Sequence, residues 1–145
     1  MKLIDFIICD DIRIELGNKH SLMGIYEDAI NFNVSAREIG KWPKAMRIAF
    51  FIRIKVENDE EGTRLNKFKL NANYNEKITT IAEGVIDNLE QKNAQGIVLV
   101  IIFNQFTFEN SGTMSVSVQL LDNAGQILYN FGMPDKIKIS ETIIS

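Results

Sequence analysis

Side chains that can do chemistry near neutral pH are scarce in this chain. His20 is the only histidine and Cys9 the only cysteine among 145 residues. One histidine excludes a His-based metal cluster or a His pair within a single chain. Cys9 and His20 are the right types for a nucleophilic couple, but no third group is placed to orient them. Cys9 sits in an apolar stretch, where a free cysteine behaves as a small buried hydrophobe. His20 follows a turn and is expected in solvent. A Ser-His-Asp triad would need the same turn histidine, and no nucleophile elbow is present. Neither common glycine-rich phosphate loop occurs. The sequence therefore offers no catalytic residue, no metal site and no cofactor motif.

Carboxylates remain. Asp10 and Asp11 are adjacent, so on a strand they point to opposite faces and do not form a catalytic acid pair. A hydrolase would need both of them to meet a distant acid such as Glu27 or Asp28 in one cleft. The densest acidic run, "ENDEEG" at 57–62, could offer oxygen ligands to calcium, but it lacks a recognisable ligand spacing and reads as a solvated hairpin tip.

Asp10 is the unusual residue. In "FIICDDIRIEL", positions 6–16, the even row is Phe6, Ile8, Asp10, Ile12, Ile14 and Leu16. An ionised carboxylate in an apolar row must be paired or turned outward. Three readings compete. A bulge at Cys9-Asp10-Asp11 could shift the phase and expose Asp10. Asp10 could be buried and bonded to backbone N–H groups or to Arg13, His20 or Arg47. It could be a functional acid with a raised pKa. The first two make Asp10 structural, and they rank ahead of the third.

The elements that must position these residues read as strands. Isoleucine outnumbers leucine by 22 to 10, and branching at Cβ favours β structure. "MRIAFFIRIKVEN" puts Met46, Ile48, Phe50, Ile52, Ile54 and Val56 on one face, with Arg47, Arg53 and Lys55 on the other. "NKFKLNANY" and "TMSVSVQLL" alternate in the same way. "IVLVIIF", 97–103, is apolar on both faces and reads as a central or partner-covered strand. Turns are expected at Gly17-Asn18 and from Asp122 to Gly125. "SAREIGKWP" has capping-box spacing between Ser35 and Glu38 and suggests one helical turn before Pro43. "ITTIAEGVIDNLEQKN" suggests a strand to about Ile86 and then a loop. The sum is an all-β antiparallel sandwich, immunoglobulin-like or similar. It has eight or nine strands, one helical turn and one domain over 1–145.

Composition narrows the setting. Hydrophobic residues make up 46% and charged residues 24%, a globular balance. The net charge of −3 gives no general attraction to nucleic-acid backbones. One cysteine forms no internal disulfide, which suits a reducing compartment. The start does not read as a signal peptide, and the longest apolar run is too short to cross a bilayer. A cytoplasmic, soluble protein without membrane or nucleic-acid partners is expected.

The segment 9–30 as a whole resembles the start of an uncharacterised bacterial family. The resemblance rests on Cys9, Asp10, Asp11, Ile12 and Arg13, then Gly17 and Lys19, then Leu22, Gly24, Ile25 and Tyr26. Further on, the family often has a Gly-x-Tyr step into a strand, where this chain has Met114. The resemblance implies a small sandwich and no activity. It also implies that Asp10, Asp11, Arg13 and Gly24 form a recurring structural unit.

Three functions follow as expectations. The first is a non-enzymatic interaction or scaffold module that binds a protein partner or itself, as a homodimer through an edge strand or an apolar face. The second is a small-ligand or carbohydrate binder using Trp42, in the loop "GKWPK", with Tyr26 as a further aromatic. The third is the carboxylate- or metal-dependent hydrolase described above.

Overall fold

The structure, a computed structural model, describes residues 1–17, 19–56, 65–86, 92–93 and 96–144. The acidic run at 57–62, Asn18 and the loop expected after Ile86 lie outside the described residues.

Alternating apolar and polar side chains produce strands β1 (Lys2–Glu15), β2 (Lys19–Tyr26), β3 (Ala29–Val34), β4 (Lys44–Lys55), β5 (Lys67–Tyr74) and β6 (Lys77–Val85). A two-residue strand, β7 (Lys92–Asn93), precedes β8 (Gly96–Phe108), β9 (Gly112–Leu121), β10 (Ile127–Gly132) and β11 (Ile137–Ile143). Ten of these have six residues or more, against the eight or nine expected. No helix occurs among the described residues. The helical turn expected at Ser35 is instead a pair of tight turns. Glu38 N–H donates to Ser35 O at 2.9 Å and Lys41 N–H to Glu38 O at 3.1 Å. The chain then leaves the turn for β4, so the pattern cannot propagate into a helix.

Two sheets form. The first runs β2-β1-β4-β8-β7 and the second β3-β11-β9-β5-β6, with β10 also on β9. The pairing is antiparallel except between β3 and β11, which are parallel, so the sandwich is not purely antiparallel as expected. The sheets share one core. Ile8, Ile48, Phe50, Ile52, Ile54 and Leu99 from the first sheet meet Leu70, Val116, Val118, Leu120 and Ile139 from the second. Each side chain of this size stabilises the fold by about 1.5–3 kcal/mol when fully buried.

The other face of the first sheet is less ordinary. Its rows follow from the register. Ile25, Cys9, Ala49 and Ile102 stand side by side, and Ile7, Phe51 and Val100 form the next row. Cys9 and Ala49 are 0% exposed although they face away from the core. Something covers them.

Candidate functional site

The cover is the chain's own first hairpin. β1 and β2 keep one register, with Ile8 opposite Tyr26, Cys9 opposite Ile25, Asp11 opposite Met23, Ile12 opposite Leu22 and Ile14 opposite His20. The pairing passes over Asp10 and Gly24. No residue is inserted there, so the break is not the single-strand bulge that the sequence suggested. Both strands bend together.

Two observations show how far they bend. In a flat strand Ile8 and Ile12 share one face and Cys9 takes the other. Here Ile8 lies in the main core, whereas Ile12 packs with Cys9 and Ala49 in a separate cluster with Leu22, Phe51 and Val100 against it. The rings of His20 and Phe51 are 5.3 Å apart. Phe51 stands opposite Ile7 and His20 opposite Ile14. Seven residues of straight strand would separate those levels by about 23 Å. The hairpin beyond Asp10 therefore folds back over the outer face of the first sheet. Its underside carries Ile12, Leu22 and His20. Its upper side carries Arg13, Glu15 and Lys19, all exposed. His20 is half-buried against Phe51, not solvated as expected.

The bend has a hinge, a brace and a latch. The hinge is Gly24, whose φ of +67° suits glycine, and an isolated glycine in a strand marks a bend or a close approach. A Cβ there would stand 2.7 Å from Asp10 Cγ. The brace is the Tyr26 hydroxyl, which donates to Asp10 Oδ1. Asp10 is exposed and Tyr26 half-buried. Burial, then the bond to Asp10, pushes the Tyr26 phenol far above its ordinary value. The latch is Asp11. Its Oδ1 accepts from Arg47 Nη2 at 2.8 Å and Nε at 3.2 Å, while Arg47 Nη1 donates to Asn104. This bonding holds the Asp11 carboxyl below the usual carboxylate range. Both side chains keep access to water, 44% for Arg47 and 31% for Asp11, so the latch is a modest restraint. Under the hairpin, Cys9 Sγ donates to Asp11 O at 3.4 Å, and burial pushes the thiol up.

The residues read from the sequence thus separate. Cys9, Asp10, Asp11, Gly24 and Tyr26 meet at the bend. Arg13 lies on the hairpin's upper side, opposite Ser21. Asp10 bonds Tyr26, not Arg13, His20 or Arg47. Asp10 and Asp11 have different partners, and Glu27 and Asp28 are exposed. Trp42 lies elsewhere, half-buried, with its ring edge-on to Phe32 at 5.8 Å and Lys44 Nζ 5.2 Å above it. Lys44 also pairs with Glu141 at 3.3 Å, and Glu141 accepts from Gly40 N–H, which closes the loop around Trp42. Among the described residues no three His, Cys, Asp or Glu side chains group to hold a metal. Sequence reasoning missed Asn104 and considered Arg47 only as a partner for Asp10, whereas it bonds Asp11, since a basic residue on a strand's polar face carries no sign of its partner.

The profile of a family of unknown function, DUF6941, matches residues 4–127, a span that contains the whole hairpin and its seat. No curated protein matches the chain.

Proposed function

Taking as premise that the chain belongs to the family of unknown function DUF6941, we propose that it is a non-enzymatic protein-interaction module that associates with a second copy of itself. The observation that carries this reading is the apolar surface left open around the hairpin. Ile14 is 75% and Leu16 93% exposed at its tip, and Ile25 and Ile102, at the two ends of the Cys9–Ala49 row, are 55% and 40% exposed. Single exposed apolar residues are common, but Ile14 and Leu16 stand close together at the hairpin tip, and exposed apolar side chains grouped in this way favour an interaction surface.

A second copy is a compatible occupant. On this face Asp5 and Asp11 of β1 already pair with Arg53 and Arg47 of β4, at 2.7 and 2.8 Å, so these four groups leave no net charge to repel an identical surface. Trp42 spends its ring on Phe32 and Lys44, which leaves less for a small ligand to stack on.

The test is sedimentation velocity over a range of concentrations. The wild type is expected to shift from monomer to dimer. A Leu16→Lys/Ile25→Lys double variant should stay monomeric with its melting temperature unchanged. A wild type that remains monomeric at every concentration would overturn the reading.

A further inference from the structure

We propose that the two copies associate by exchanging their first hairpins, each laying the strand segments 11–15 and 19–23 on the outer sheet face of the other. This rests on the self-association reading above and specifies the contact. The seat is already shown in one chain: Ile12, Leu22 and His20 fill the surface made by Cys9, Ala49, Phe51 and Val100. A second copy carries the same seat and the same hairpin, so every contact made within one chain can be made between two.

The hinge suits this use. The one place where β1 and β2 lose their pairing is Asp10–Gly24, and Gly24, at a φ of +67°, can move between positive and negative φ without the steric cost of a Cβ. Straightening there leaves the hairpin's own register intact. It swings an arm of six residues from Asp11 to Leu16, about 20 Å long, clear of its own sheet. Opening breaks one apolar cluster, the His20–Phe51 ring contact, the Tyr26–Asp10 bond and one half-exposed ion pair, all of which the exchanged copy can restore. In the exchanged pair the hinge is the crossing point. Ile25, which adjoins Gly24 and is exposed in the single chain, becomes buried there. That extra burial is what favours two copies over one. The Asp11–Arg47 pair then forms between chains.

The experiment uses the full chain with His20→Cys and Phe51→Cys on a Cys9→Ala background, equilibrated at low and high concentration and then oxidised with diamide. The oxidant takes up the two thiol hydrogens as the S–S bond forms. Exchange predicts that the disulfide lies within one chain in dilute samples and between two chains in concentrated ones, read on a non-reducing gel. Gly24→Ala in an otherwise wild-type chain provides a second readout, because its Cβ displaces Asp10 and loosens the closed bend. It is expected to raise the dimer fraction several-fold by sedimentation. A dimer whose disulfides stay within each chain would overturn the exchange while leaving self-association standing. A monomer throughout, with only internal disulfides, would overturn both.

Discussion

β1 contributes to two hydrophobic clusters, and they are held in different ways. Upstream of Asp10, Ile8 enters a core that holds twenty-one buried residues among those described, most of them from the two sheets. Downstream, Ile12 enters a cluster of three, with Cys9 and Ala49. The first cluster is closed by the packing of whole sheets. The second is closed by a hairpin that is hinged at a glycine, braced by Tyr26 and latched by Arg47. A sandwich core needs only the right periodicity. A fold-back needs particular residues at the bend, because little apolar area is available to hold it.

The largest expected effect lies in the main core. Phe50 is 0% exposed, and Phe50→Ala should cost about 3–5 kcal/mol, seen as a large fall in melting temperature. Ile12→Ala removes a buried side chain from the small cluster and should cost about 2 kcal/mol, since the hairpin can settle onto the space left. It should also make Cys9 react quickly with a thiol reagent, whereas Phe50→Ala exposes Cys9 only through global unfolding. Equal costs at the two sites would mean that the clusters are one cooperative unit.

Most of the strands were legible in the sequence because alternation is a local signal. The inner face Ile48, Phe50, Ile52 and Ile54 can be read from spacing alone. The fold-back was not legible, because period two continues through it: Ile8, Asp10, Ile12 and Ile14 look like one face in the sequence and occupy two environments in space. The only local sign was Gly24 within the run "HSLMGIY", and its partner Asp10 was singled out for its charge, not for lying across from a glycine. The parallel pairing of β3 with β11 was equally hidden, since it joins segments more than a hundred residues apart. The tight turns at Ser35 carry a helix-start spacing with no helix behind it.

A smaller effect sharpens the comparison at the hinge. Gly24→Ala must adopt a positive φ and push Asp10 away from Tyr26. It should cost about 1–2 kcal/mol, with faster labelling of Cys9 and an unchanged main core by hydrogen exchange. Normal protection of Cys9 in this variant would show that the hinge tolerates a side chain and that the bend is fixed elsewhere.

The smallest expected effect is at the latch. Asp11 has its pKa lowered in the folded state, so its contribution is present above its ordinary value of 3.8 and is lost as pH falls below that value through the lowered one. Asp11→Asn should therefore melt slightly below the wild type at neutral pH. The difference should close as pH falls below about 4. A difference that persists in acid would assign the effect of Asp11 to its hydrogen bonds, not to its charge.

The central claim is that the first hairpin lies folded back on the sheet. The most direct test is a nuclear Overhauser measurement on the single histidine, whose ring signals need no assignment among others of their kind. The folded-back hairpin predicts cross-peaks between the rings of His20 and Phe51, which lose their Phe51 partner in Phe51→Leu. A hairpin that continues straight from the sheet would give no His20–Phe51 cross-peak, with the ring of His20 near Ile14 alone.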